Sequence, residues 1–366
     1  MKKVIPLFLL SVLLVACLPT QPTTTVSTED QSMLAQTASS ADPTKTIPFI
    51  PTPEITPTAS VNKNLAMERV SQIKGNINGI VVSGDIAYVG MGLRVAAIDI
   101  QKHEKPWLYS QSEPLPGAVS LLLLLPGEPD PFLLVNADRN LAVLDLSTPD
   151  TFTPIQQLEL TGNLTAMIFD PHADILYVGG KVDKNTGFIS AIEITPERQM
   201  KVIQSIDMPE FPLSLGLAEG SLFAGAEGYQ GGLYRIQLAS PGKLSPAELV
   251  IESTPIRPFQ PFSLQVIGDR LYVSYKAIEA YHISDPEQPQ QVWRTAGHVV
   301  REFRVVGDQI YWFGWTIKSE NMYEVIDAPE AIPGSPVGMI ASCTAIHDNA
   351  FLIAYEGFEI YETRLP

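Results

Sequence analysis

Cysteine is nearly absent from this chain: 366 residues carry two, Cys17 and Cys343. A cysteine-based zinc site is thereby excluded. Histidine is almost as scarce, with His103, His172, His282, His298 and His347, and no two stand at a metal-ligand spacing such as His-x-x-x-His. A zinc or copper site would have to be assembled from distant parts of the chain, so no metal and no cofactor is expected. Basic residues are also few. Against 40 Asp and Glu stand 24 Lys and Arg, a formal charge of −16, and such a chain lacks the basic stripe that a nucleic-acid backbone requires. There is no Gly-x-Ser-x-Gly elbow, no Walker-type loop and no paired-cysteine motif. No apolar run approaches the ~20 residues that a membrane-spanning helix needs.

The N-terminus does contain three zones in order. Lys2 and Lys3 carry positive charge, Val4 to Val15 form a short apolar stretch, and Leu14-Val15-Ala16-Cys17 closes it. That is the layout of a secretory signal peptide over residues 1–16. The closing tetrapeptide resembles the bacterial lipobox, which implies that Cys17 is diacylated and becomes the new N-terminus. Two acyl chains make a stable anchor where one is marginal. Loss of Lys2 and Lys3 takes the formal charge to −18. Only Cys343 is then left, so no intramolecular disulfide forms, and its strand-like surroundings, Ile340 to Ile346, mark it as a buried inert thiol.

From Leu18 to about Ser60 the chain is dominated by Pro, Thr and Ser, as in Thr46-Ile-Pro-Phe-Ile-Pro-Thr-Pro. This composition cannot bury enough apolar surface to fold. Residues 17–62 are therefore expected to be a disordered linker, semi-stiff from its prolines, that holds a domain off the membrane.

Residues 63–366 read as short strands separated by turn residues, with no sustained 3.6-residue period. One strand type recurs: Asp85-Ile-Ala-Tyr-Val-Gly90, Asp130 to Val135, Asp174-Ile-Leu-Tyr-Val-Gly179, Gly220 to Gly225, Asp269-Arg-Leu-Tyr-Val-Ser274, Asp308 to Phe313 and Asn349 to Ala354. Their fourth residues fall at 88, 133, 177, 223, 272, 311 and 352. Each has an apolar run before it and another after it, and most units close with a weaker fourth run. Four strands in each of seven repeats spell an all-β, seven-bladed β-propeller, with six and eight blades as the neighbouring solutions. The Leu121 to Leu125 run then reads as an innermost strand buried on both faces. The last repeat lacks a fourth strand, and Leu65 to Ile73 has no other partner, so pairing the two would remove an exposed edge. Repeat six is the weak point, because the prolines of Ala331 to Val337 make a poor fourth strand.

These units resemble LVIVD-type propeller repeats, with a Tyr-Val strand, an apolar strand ending in Asp (Leu93 to Ile100, Leu141 to Leu146) and a Ser-Asp-Pro loop (Ile283-Ser-Asp-Pro). Gln237 and His282 depart from the pattern at its acidic position. The resemblance implies exported or surface proteins, mostly without assigned chemistry.

The loops between second and third strands of a propeller open on one face near the central channel. Here they carry Asp138, Arg139, Lys181, Asp183, Glu227, Tyr229, Lys276, Trp315, Lys318, Tyr355 and Glu356. Aromatic groups with charged neighbours of both signs suit contact with a protein or a glycan. Asp170-Pro-His-Ala-Asp174 and Asp183-Lys-Asn185 lack the ligand pattern of a calcium loop and read as solvated turns, and Gly225 to Gly232 reads as an inter-strand turn. The whole reads as a monomeric, lipid-anchored, extracytoplasmic binding or scaffold module for a protein or polysaccharide. The alternatives are a carbohydrate-active hydrolase or lyase, with two acids about 5–10 Å apart in the channel, and a structural role in envelope assembly.

Overall fold

The computed structural model describes residues 66–127, 131–147, 152–184, 186–228, 231–253, 260–295, 299–307, 309–315, 321–327 and 339–364; at Ala66, Trp315, 321–327, Glu356 and 363–364 this extends to the backbone alone. Cys17, the signal peptide and the linker lie outside them, as do Tyr229 and Lys318. The described residues all belong to the compact unit Glu54–Pro366. They hold strands and no helix, hence no helix long and apolar enough to cross a membrane.

The strands follow one another as antiparallel neighbours. First come β1 (Ala66–Ser83), β2 (Ile86–Met91), β3 (Arg94–Asp99) and β4 (Trp107–Gln111); the next sheet is β5 (Val119–Leu125), β6 (Phe132–Ala137), β7 (Asn140–Asp145) and β8 (Pro154–Glu159). Then follow β9 (Asn163–Asp170), β10 (Ile175–Lys181), β11 (Gly187–Ile194) and β12 (Met200–Met208). The fourth sheet has β13 (Phe211–Ala218), β14 (Ser221–Glu227) and β15 (Gly232–Ser240), with β16 (Lys243–Leu244) and β17 (Glu248–Glu252) both on β15. After it come β18 (Ser263–Ile267), β19 (Arg270–Ser274), β20 (Ile278–His282) and β21 (Gln290–Arg294), then β22 (Val299–Val306), β23 (Gln309–Trp315) and β24 (Asn321–Asp327). The short β25 (Met339–Ile340) pairs with β9, and β26 (Thr344–His347) pairs with β27 (Ala350–Arg364), which returns to β1.

All seven recurring runs are strands, and each lies between two antiparallel partners: β2, β6, β10, β14, β19, β23 and β27. Position in the sheet explains the sequence pattern. Second strands are covered on both faces, and every residue of β6 is buried, so these runs are continuously apolar. Fourth strands have one solvated face: β8 alternates half-buried and exposed residues along its length, which is why they read weakly. Repeat six shows three strands among the described residues, and its doubtful segment 331–337 lies outside them.

The N-terminal strand pairs as its sequence suggests. Ala66 to Lys74 run antiparallel to Arg364 down to Gly357, and the same β1 then continues to pair Ile80 to Ser83 with β2. One strand thereby joins the first repeat to the last. The buried side chains form seven clusters, each drawn mainly from two successive repeats. Leu133 packs with Val95 of the preceding repeat, Phe303 with Tyr272, and Phe313 with Phe351. Leu352 and Phe358 of the last repeat pack with Val89 and Ile98 of the first. The recurrent glycine ending the Tyr-Val strand serves this packing: a Cβ on Gly90 would strike Val119, and one on Gly179 would strike Pro212, each from the next repeat.

Candidate functional site

The first strand of every repeat faces inward onto one of two cavities, or onto both. Their leading halves, with Ser342, Cys343, Glu227 and Tyr355, line a cavity of about 450 Å³. Their trailing halves line a second, of about 490 Å³, whose walls include Ile80, Val82, Leu123, Ile168, Leu217, Val266 and Ile346. The segment Met339–Ser342 runs between the first strands: Ala341 N donates to Met167 O (3.0 Å), and Ile80 N donates to Ser342 O (3.0 Å). Ile340 touches both cavities.

A repeated backbone device shapes the first cavity. Five first strands carry one extra residue against their partner, at Gly79, Ser120, Thr165, Leu213 and Arg301. All five residues line the cavity. A bulge breaks the strict alternation of a strand, so neighbours such as Arg301 and Glu302 both face inward. The leucine run shows the same effect. Leu122, Leu123 and Leu125 are buried, but Leu121 and Leu124 are half-buried and line the first and second cavity respectively. The expectation of burial on both faces is corrected to that extent, because an innermost strand has its other side on the cavities rather than on another sheet.

Glu302 is the chemical centre of the first cavity. It is buried, accepts a hydrogen bond from Ser263 Oγ (2.7 Å) and faces the Cys343 thiol at 3.6 Å. Burial pushes its carboxyl above the ordinary carboxylate range, against the opposing pull of Arg304, Ser263 and Arg301. Arg304 follows two residues later on the same face of β22. Its guanidinium donates to Thr344 O (2.9 Å from Nη2, 3.3 Å from Nε) and to Ser342 Oγ, and burial lowers its proton affinity. Cys343 is half-buried rather than buried as expected, because it stands on the cavity wall, and its thiol is pushed well up by desolvation and by Glu302. Arg301 stacks over the Tyr355 ring, 4.3 Å from its centre, and the Phe313 ring lies tilted to Tyr355 at 6.1 Å.

Of the residues expected to form a binding face, Glu227 and Tyr355 come together in this cavity. The others whose side chains are described are dispersed. Arg139 pairs with Glu159 (3.3 Å) on the surface, and Asp138 sits in the β6–β7 turn with φ 57°. Lys181 lies 4.4 Å over Phe211, and Lys276 5.4 Å over Tyr275. Asp183 closes its own turn through the Thr186 amide (2.9 Å), and the Asp170 carboxylate accepts from the His172 amide (2.9 Å), as solvated turns do. Trp315 ends β23 and Glu356 lies within β27, with backbone alone described. Sequence reasoning looked to the loops and missed Ser263, Arg301, Glu302 and Arg304. A signal was present: Val299-Val-Arg-Glu-Phe-Arg-Val-Val306 places three charges in an otherwise apolar inner strand.

No protein-family model matches the sequence, and no curated protein sequence matches it. The fold has relatives among solved structures. A luciferin-regenerating enzyme superposes with a TM-score of 0.50 at 14% identity, spanning 75% of this chain and 98% of that one. A functionally unknown protein from Desulfotomaculum acetoxidans superposes with a TM-score of 0.51 at 11% identity, spanning 76% and 89%. At these identities the likeness is one of fold.

Proposed function

We propose that the chain is a lipid-anchored, extracytoplasmic, seven-bladed β-propeller of LVIVD-like repeats that binds a glycan end in its polar central cavity. The blade count is supported by seven inter-repeat clusters that run in a cycle, the last repeat packing on the first, and by the β1–β27 pairing. Export and anchoring rest on residues 1–17. The observation that carries the binding reading is the first cavity itself. It is concave, about 450 Å³ in volume, and places hydrogen-bonding groups of both kinds (Glu302, Arg301, Ser263) beside the stacked Tyr355 ring. Sugar units are held by that combination of planar apolar contact and convergent polar groups. Titration of the full chain with envelope polysaccharide fragments tests it. Saturable binding weakened by Arg301→Ala supports the reading; binding of protein segments alone, or no binding, contradicts it.

One observation favours a second reading. Two carboxylates, Glu302 and Glu227, line the same cavity, and Glu302 is held toward its protonated form, the division of roles that a general acid and a partner carboxylate require. Release of reducing ends from such fragments by the wild type but not by Glu302→Gln would establish hydrolysis.

A further inference from the structure

The histidines that sequence spacing kept apart are brought together at the junction of the first and last repeats. His103 stands in the loop between β3 and β4, His347 ends β26, and 244 positions separate them. His103 Nε2 lies 2.9 Å from His347 Nδ1, with the rings edge to face at 5.2 Å. The carboxylate of Asp348 joins them, one donor atom from each of the three residues lying within 4.8 Å of the others.

The outward nitrogens complete the picture. His103 Nδ1 is 2.7 Å from Glu362 Oε1, and His347 Nε2 is 3.5 Å from Asp85 Oδ1. A carboxylate can only accept, so His103 carries its proton on Nδ1 and turns the lone pair of Nε2 toward His347. If His347 likewise gives its Nε2 proton to Asp85, two lone pairs point at each other across 2.9 Å. If it holds the proton on Nδ1 instead, its other lone pair faces Asp85. A positive charge held by the two rings, whether a proton or a metal ion, satisfies all three contacts at once. Two imidazoles, each backed by a carboxylate on its far nitrogen, with a third oxygen donor alongside, are the arrangement in which carboxylates orient histidines toward a metal.

The turn positions the third donor. Asp348 has φ 50°, at the turn position where the first, fifth and sixth repeats place Gly84, Gly268 and Gly307 at φ 53°, 58° and 61°. Glycine takes this conformation freely, and Asp is among the few L residues that enter it, as Asp138 and Asp174 do at φ 57° and 55°. The last repeat thus places a carboxylate where three sister turns have glycine.

We propose that His103, His347 and Asp348 bind one divalent transition-metal ion, of the zinc or copper class, that clamps the last repeat to the first. An N,N,O donor set suits these ions and not calcium or magnesium, which prefer oxygen ligands. The two nitrogens would have to part only from 2.9 Å to about 3.3 Å, the separation that Zn–N bonds of ~2.0–2.1 Å impose in a tetrahedron. Three protein ligands leave a fourth position, and Asp348 is exposed while His103 is buried, so the open position faces solvent. Glu362 and Asp85 are positioning residues that hold the rings.

The full chain, freed of metal with a chelator, is titrated with Zn(II) by calorimetry, and its melting temperature is followed with and without the ion. The expected result is one ion per chain and a raised melting temperature. His103→Gln and His347→Gln should abolish saturable binding, and Glu362→Gln should weaken it ~10- to 100-fold, the usual effect of removing a histidine's carboxylate partner. Should a histidine variant fail to fold, electron paramagnetic resonance of Cu(II) on the wild-type chain decides the matter. Coupling to two imidazole nitrogens supports the site. Absence of nitrogen coupling, binding unaltered by both histidine substitutions, or uptake of a proton alone between the rings would overturn it.

Discussion

The two cavities share six first strands, with β26 on the second alone, and differ in the polar groups they present. The first receives Ser263, Arg301, Glu302, Ser342 and Cys343, while the second is walled mainly by Ile, Val and Leu, with Arg304 and Gln265 at its polar side. At β22 a bulge contributes to the difference by turning both Arg301 and Glu302 inward. Where a strand is regular, inward positions alternate with positions packed between sheets, and apolar residues serve both. Where an extra residue interrupts the alternation, adjacent side chains turn inward, and polar groups sit there at little cost to the packed layers. The first cavity thus lies at the ends of the strands where five of them bulge, and the second at their regular ends.

Substitutions that cross the chemistry of the two cavities should have the largest effects. Val266 is buried at the wall of the second cavity, and Val266→Asp is expected to cost roughly 3–5 kcal/mol because it removes a packed side chain and buries a carboxylate among apolar groups. Denaturant midpoints read this directly. The leucine run gives a sharper comparison within one strand. Leu122→Ala should cost ~2–5 kcal/mol, since Leu122 is fully buried between repeats, whereas Leu121→Ala, on the polar cavity, should cost about 1 kcal/mol or less. Equal losses at the two positions would mean that the first strand has both faces packed after all.

Glu302 gives the comparison a pH dependence. Its carboxyl is raised in the folded chain, so the folded state holds the proton more tightly than the unfolded one. The associated stability is fully present below the ordinary carboxylate range and is lost as pH rises through the raised value. Wild type should therefore lose stability relative to Glu302→Gln between acid and neutral pH. Parallel pH profiles for the two proteins would show that Glu302 ionises as freely as in water. The smallest effect belongs to the outer face: Arg139→Ala breaks an exposed pair with Glu159 and should change stability by no more than ~0.5 kcal/mol.

Much of the fold was legible in the sequence. The seven Tyr-Val-type runs became seven second strands because strands covered on both faces must be continuously apolar, and the orphan strand before them found the orphan edge after them. The site was less legible, for physical reasons. Loops attract attention because ligands gather there, but Lys181 and Lys276 settle on neighbouring rings and Asp183 on its own turn. Bulges leave almost no trace in residue type, so nothing announced that Arg301 and Glu302 would share a face. Nor can spacing along the chain reveal His103 beside His347, since only the meeting of the first and last repeats makes them neighbours.

Cys343 offers the most direct test of the polar cavity as the binding site, because it is a free thiol on the cavity wall. Its modification by a small neutral thiol reagent is followed by mass spectrometry, with and without polysaccharide fragments. Slow labelling that slows further as fragments saturate the cavity is the expected result. A labelling rate at Cys343 unchanged at fragment concentrations that saturate binding elsewhere would contradict it.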